Sequence, residues 1–149
     1  MKKILLTLGV APLFIALLAL PGCKAKPDPI VGAWFVDDAG APFQYHMYVF
    51  NADGTMQQAN PDAGDATTSD SDGKGVWVAE GNSIKGIWME ITADRMTHKY
   101  VSRGELTFEI KVNGDNFAGT LGGRFYDPAG KEIQNFPPSP LNGKRVTLP

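Results

Sequence analysis

Beyond residue 30 the chain alternates apolar and polar positions with a period of two, and no window holds a 3.6-residue apolar period. Val31–Asp37 reads as a first strand with Trp34 near its centre, and Phe43–Asn51 as a second, rich in aromatic and β-branched residues. Asn51-Ala52-Asp53-Gly54 turns the chain into a third strand at Thr55–Gln58. Lys74–Glu80, Ser83–Thr92 and Thr97–Arg103 follow, separated by Gly81-Asn82 and Ala93-Asp94-Arg95. Glu105–Val112 alternates most cleanly, with Leu106, Phe108, Ile110 and Val112 on one side and Glu105, Thr107, Glu109 and Lys111 on the other. Asn113-Gly114-Asp115-Asn116 is a hairpin signal before Phe117–Tyr126, and Lys144–Leu148 reads as a last strand.

Eight or nine antiparallel strands in meandering order predict an all-β up-and-down barrel of about eight strands, which closes its own edges. A sandwich is the competing architecture. Gly86, Gly119, Gly122 and Gly123 fall inside strand patterns, where glycine marks the bends and bulges at which a barrel turns its corners. Ala59–Gly73, with four aspartates and almost no apolar side chain, reads as a long solvated loop.

The N-terminus follows a different pattern. Met1-Lys2-Lys3 is basic, Ile4–Leu20 carries no charge, and small and turn-forming residues lead to Cys23, the single cysteine. That is the layout of a secretory signal peptide. An uncleaved membrane anchor is the alternative, but the run is interrupted by Gly9 and Pro12 and falls short of the roughly 20 apolar residues of a span.

Leu20-Pro21-Gly22-Cys23 resembles the bacterial lipobox, with Pro21 where Ala or Ser is usual. The resemblance implies cleavage after residue 22 and acyl chains such as palmitate on Cys23, each buried CH₂ contributing about 0.8 kcal/mol to anchoring. Lipidation also removes a lone thiol from an oxidising compartment. Lys24 stands where an Asp would resemble an inner-membrane retention signal, so the expected location is the outer membrane, facing the periplasm. The organisation is then a signal peptide over 1–22, a lipidated proline-containing tether over 23–29, and one domain over 30–149.

Charge narrows the partners. Without Lys2 and Lys3 the chain has 12 basic and 16 acidic side chains, a formal charge of −4. That balance argues against a nucleic-acid surface and against an electrostatic membrane binder, so the membrane is expected to be reached through the lipid.

Gly32-Ala33-Trp34 at the start of the first strand resembles the G-x-W of the lipocalin and calycin superfamily. Phe50-Asn51-Ala52-Asp53-Gly54-Thr55 and Gly75-Val76-Trp77 are similar to small bacterial lipocalin-like domains. The resemblance implies a barrel whose floor is closed by Trp34 with an arginine laid across it. Arg124 is the favoured arginine and Arg145 the other candidate.

The chemistry-bearing residues are few. His46 and His98 are the two histidines, both in expected strands, with no H-x-H or H-x-x-x-H pair. A cross-barrel metal site completed by Glu90 is outweighed by surface or hydrogen-bonded histidines, and no metal or cofactor is expected. Thr68–Gly73 matches a calcium loop poorly, since Thr68 and Ala79 stand at its first and twelfth positions. Asp62, Asp65, Asp70 and Asp72 are the acids a weak calcium site would use. No nucleophile motif or P-loop is present. Glu90 follows Trp88 by two and shares its face; if that face is interior, its pKa rises. If it is exterior, Ile87, Met89 and Ile91 line the barrel instead.

Three functions fit these residues. The first is a binding barrel for a small hydrophobic or amphipathic molecule, lined by Tyr48, Trp77, Trp88, Tyr100, Phe108 and Phe125. The second is a non-catalytic structural or interaction lipoprotein with a filled barrel, docking a protein partner through a segment such as Gln134–Leu141. The third is a barrel cyclase or isomerase using Glu90, His46 and Tyr48, and it requires those three to converge.

Overall fold

The computed structural model describes residues 28–62, 64 and 66–149. The signal peptide, Cys23, most of the tether and Asp65 lie outside the described residues. The described chain is all-β. Its strands are β1 (Gly32–Asp38), β2 (Tyr45–Phe50), β3 (Thr55–Ala59), β4 (Thr68–Asp70), β5 (Gly73–Glu80), β6 (Ser83–Asp94), β7 (Tyr100–Asn113), β8 (Asn116–Tyr126) and β9 (Glu132–Arg145). Among the described residues no helix is long and apolar enough to cross a membrane.

Eight strands close a barrel in the order β1-β2-β3-β5-β6-β7-β8-β9, with every neighbouring pair antiparallel and β9 returning to β1. The ninth, β4, pairs with the far end of β6 (Ser69 opposite Ala93). Alternation sets which residues face inward. On β7, Leu106, Phe108, Ile110 and Val112 are buried, while Thr107, Glu109 and Lys111 are exposed.

The structure departs from the sequence reading in several places. The stretches 97–103 and 105–112 are not two strands: β7 runs through Gly104, which sits against the Phe125 ring because a Cβ there would lie 2.7 Å from it. Residues 97–99 belong to the β6–β7 turn, in which Asp94 Oδ1 accepts from the Thr97 amide (2.6 Å) and the Met96 amide (3.0 Å). His98 is therefore a turn residue, with a left-handed backbone (φ 57°). The aspartate-rich stretch 59–73 is not wholly loop, since it contains β4.

A further departure is Gln134–Leu141, which is strand. It carries three prolines, yet β9 pairs with β8 along most of its length and with β1 only from Leu141 onward. The proline segment thus has an unpaired edge, where a missing N–H breaks no ladder. Pro137 and Pro138 fall at a register shift opposite Gly122, whose Cβ would lie 3.0 Å from the Phe136 carbonyl. Past β9 the expected strand 144–148 shortens, and Arg145 ends it.

Packing differs between the two ends. At one end, the floor, Trp34 is fully buried and donates its indole N–H to the Ile30 carbonyl (2.7 Å). Its ring meets Phe117 at 5.1 Å, and Phe50 meets Trp77 and Phe108 edge-on at 6.0 and 5.8 Å. Gly86 makes room for Phe108 and Gly143 for Phe117, since a Cβ on either would fall within 2.5 Å of a ring carbon. The inward glycines thus serve ring packing as well as bending.

Arg145, not Arg124, lies over Trp34, its guanidinium 4.2 Å from the ring centroid. The reason is register: Arg145 is the direct cross-strand partner of Trp34, so both fall on one side of the sheet. Arg145 also donates to the carbonyls of Val31 (2.9 Å) and Pro29 and to Asp115 (3.1 Å). Arg124 points outward and pairs with Glu132 at 3.6 Å.

Candidate functional site

The opposite end of the barrel is not filled. A cavity of about 290 Å³ opens there, walled by the ends of β1, β2 and β3, by β4 and β6, and by parts of β8 and β9. A larger depression of about 580 Å³ lies on the outer wall beside Phe35, Tyr45 and Lys111 and reaches none of the interior polar groups.

Strand alternation delivers the side chains of the mouth. On β1 the inward sequence Trp34, Val36, Asp38 ends at the cavity with a buried acid. On β2 it runs from Phe50 near the floor through Tyr48 to His46 at the mouth. On β3 it ends in Gln58, and on β6 it carries Trp88 inward, with Glu90 on the same side. The sequence left the facing of β6 open; Trp88 and Glu90 line the cavity, and Met89 and Ile91 are exposed outside.

A hydrogen-bond chain fixes the histidine. The Gly73 amide can only donate, so Gln58 presents its Oε1 there (2.9 Å). The Gln58 NH₂ group then faces Asn60 Oδ1 (2.7 Å) and His46 Nδ1 (2.9 Å). His46 Nδ1 is therefore the acceptor, and the ring proton sits on Nε2. Burial pushes the His46 pKa down, against the opposing charge of Asp38 and the Phe43 backbone, which approaches the ring without reaching hydrogen-bond geometry at Nε2. The ring is neutral at physiological pH.

Nε2–H of His46, the Tyr48 hydroxyl and the Trp88 indole N–H are all buried with no hydrogen-bond partner inside the protein. Leaving one such group unpaired costs about 1–3 kcal/mol. Tyr48 packs edge-on against Trp88, ring centroids 6.5 Å apart, and edge-on to His46 at 6.4 Å. Burial drives the phenol pKa well up, and the nearby acids Asp38 and Glu90 add to this; the Trp88 indole acts the other way without reaching hydrogen-bond geometry.

Glu90 is the titrating group of the site. Burial first, and the neighbouring charge of Asp70 second, raise its pKa from 4.5 to about 7. A carboxyl poised near neutrality beside a neutral imidazole can exchange a proton with a bound molecule. Asp70 is itself held by the Thr92 hydroxyl (2.7 Å) and Asp38 by the Gly40 amide (3.0 Å).

The expected ligand-lining residues divide into three groups. Trp88 and Phe125 line the cavity, and Tyr48 packs directly beneath it against Trp88. Trp77 and Phe108 are floor and core residues, Trp77 donating to the Thr55 carbonyl (3.0 Å). Tyr100 does not reach the interior: it opens β7 at the β6–β7 turn and is 42% exposed. Of the catalytic candidates, Glu90 and His46 share the cavity, with Tyr48 adjoining both. Asp38, Gln58 and Phe136 were not singled out from the sequence, and Asp70 was named there only as an acid of a weak calcium site. For Gln58 and Asp38 the signal was available, as a polar residue continuing an inward apolar alternation (Met56 to Gln58, Val36 to Asp38).

The aspartate-rich segment is organised by its own bonds. Asp62 accepts from the Gly64 amide (3.0 Å), the Asp70 amide (3.2 Å), the Ser69 hydroxyl (3.0 Å) and Arg95, which hold its carboxyl well below the usual carboxylate range. Among the described residues no three His, Cys, Asp or Glu side chains gather as a metal-holding group.

No family model, curated protein or solved structure matches this chain. What the site does therefore rests on its own geometry. The closed antiparallel barrel, with Arg145 over Trp34 at its floor, is compatible with a lipocalin-like fold.

Proposed function

We propose that this chain is an envelope lipoprotein, anchored through acylated Cys23 at the outer membrane and facing the periplasm, whose lipocalin-like barrel holds a small amphipathic molecule in its open end. The observation that carries the binding function is the asymmetry of the interior. One end is packed by Trp34, Phe50, Trp77 and Phe117, while the other keeps a cavity of about 290 Å³ walled by Trp88 and Phe125 and floored by unpartnered donors. An apolar wall with a few convergent polar groups is the usual form of a small-molecule site.

The core side chains all lie within residues 30–141, so the chain from Lys24 onward carries the whole core. Native mass spectrometry of that form, purified gently from the periplasm, tests the reading. A small co-purifying mass released on denaturation is the expected result. A protein that stays bare there and against a panel of aromatic and short-chain amphiphiles would overturn it.

A second reading, a protein-docking lipoprotein, is favoured by a different feature. Val76, Val78, Met89 and Ile91 form an exposed apolar strip on the outer wall of β5 and β6, with Val76 opposite Ile87 across the strands. Its mark would be a barrel that binds no small molecule but loses a cross-linked envelope partner when Val78 and Ile91 are changed to Lys.

A further inference from the structure

We infer that the cavity at the barrel mouth selects a small organic cation: an ammonium or guanidinium group joined to a flat apolar body bearing a hydrogen-bond acceptor. The inference rests on the small-ligand reading above and deepens it.

Three acids line this one cavity from three strands: Asp38 at the end of β1, Asp70 from β4 and Glu90 from β6. No lysine or arginine is among the lining residues, so nothing in the wall neutralises them. The acids do not converge into a metal-holding group with His46, which directs their charge to a larger, diffuse cation. The aromatic wall agrees. Trp88 lines the cavity, and Phe125 meets Phe136 edge-on at 5.5 Å on the opposite side. Ring faces beside acids attract an organic cation through the ring quadrupole as well as through charge.

Independent observations show that a guest is expected at all. His46 is 7% exposed and Trp88 4%, both line the cavity, and both hold an N–H without an internal partner. Gln58 occupies the other nitrogen of His46, so Nε2–H is the polar atom left over. These are donors, and they call for an acceptor on the same ligand whose cation meets the acids. A purely hydrocarbon guest would leave both donors unpaired, and an anionic one would face three acids in a site of low dielectric.

Binding is then linked to proton release. Asp70 from β4 acts on Glu90, Tyr48 from β2 feels its charge, His46 from β2 and Asp38 from β1 line the same cavity, and Glu90 ionises near neutrality. A cation bound beside it lowers its pKa, so affinity rises with pH through about 7.

The test is a calorimetric titration at pH 8 of the Lys24–Pro149 form with three probes of matched size: 2-(1-naphthyl)ethylamine, 2-(1-naphthyl)ethanol and 1-naphthylacetate. The amine is expected to bind at least about tenfold more tightly than the other two, a preference of the size buried charges supply. E90Q and, separately, D70N are expected to cut that preference at least about threefold, while E109Q on the outer wall leaves it intact. Equal binding of amine and alcohol, tighter binding of the acid, or a preference indifferent to both E90Q and D70N would overturn the cation assignment and leave a ligand cavity standing. Binding of none of the three would overturn the ligand reading with it.

Discussion

Replacing Glu90 with Gln should make the protein more stable, by a margin that grows from about pH 4.5 and is complete above neutral pH. The carboxyl has a pKa of about 7 in the fold against 4.5 in the unfolded chain, because burial and the Asp70 charge both oppose its ionisation. Between those values the folded chain holds a proton that the unfolded chain has lost. Stability therefore falls as pH rises from about 4.5, and the loss is complete once pH exceeds the folded value near 7. At roughly 1.4 kcal/mol per pH unit, and allowing for water reaching the open mouth, the ionised carboxylate destabilises the fold by about 2–3 kcal/mol. His46 contributes the opposite slope. Its pKa is depressed, so it withdraws stability as pH falls through and below its ordinary 6.5. The difference between wild type and E90Q removes that background. The assay is urea unfolding of both proteins from pH 5 to 8.5. The two should coincide near pH 5 and separate by about 2–3 kcal/mol at pH 8.5, or on the order of 10 °C in Tm for a domain of this size. A constant difference across the range, or E90Q weaker at high pH, would refute the reasoning, because the carboxyl would then be solvated or paired.

Other consequences follow from the two ends of the barrel and from the proposed lipid anchor. Trp34→Ala should cost about 3–5 kcal/mol in urea unfolding, since it empties the fully buried floor. Arg145→Ala should be clearly destabilising and Arg124→Ala within about 0.5 kcal/mol of wild type, because only the former stacks on Trp34 and caps the Val31 and Pro29 carbonyls. Long-range ¹⁵N–¹H correlation at pH 7 should show His46 neutral with the proton on Nε2; a proton on Nδ1 would reverse the Gln58 orientation argued from Gly73. Cys23→Ser in a bacterial envelope host should move the protein from the membrane to the soluble fraction, and an unchanged distribution would remove the lipid anchor from the account.

How much of this was legible in the sequence depended on how strongly each segment alternated. β1, β2, β5, β6 and β8 read correctly because apolar positions two apart marked one face, and the barrel followed from their number and order. Gly104 was taken as a break because glycine punctuates strands, yet here the missing Cβ admits the Phe125 ring. β4 escaped because Thr68-Ser69-Asp70 has no apolar position; it is held by pairing to β6 alone. β9 escaped because its prolines argue against a strand, and only the tertiary fact of an unpaired edge makes them harmless. The choice between Arg124 and Arg145 was beyond local pattern, since it depends on the β1–β9 register. In the site, Glu90 and Trp88 were found together by spacing, and His46 and Tyr48 were named as candidates to converge with Glu90. Convergence of β2, β4 and β6 on one cavity, and the tautomer that Gln58 imposes, require the folded barrel.

The most direct test of the ligand site is a nuclear magnetic resonance titration with 2-(1-naphthyl)ethylamine, read at the three indole N–H resonances. Those of Trp34 and Trp77 are already bonded to the Ile30 and Thr55 carbonyls, at 2.7 and 3.0 Å, while that of Trp88 has no partner and lines the cavity. The account predicts that the Trp88 resonance alone moves, saturably, and that E90Q weakens the titration. Three unmoved indoles, or a shift at Trp34 or Trp77 with Trp88 still, would contradict it.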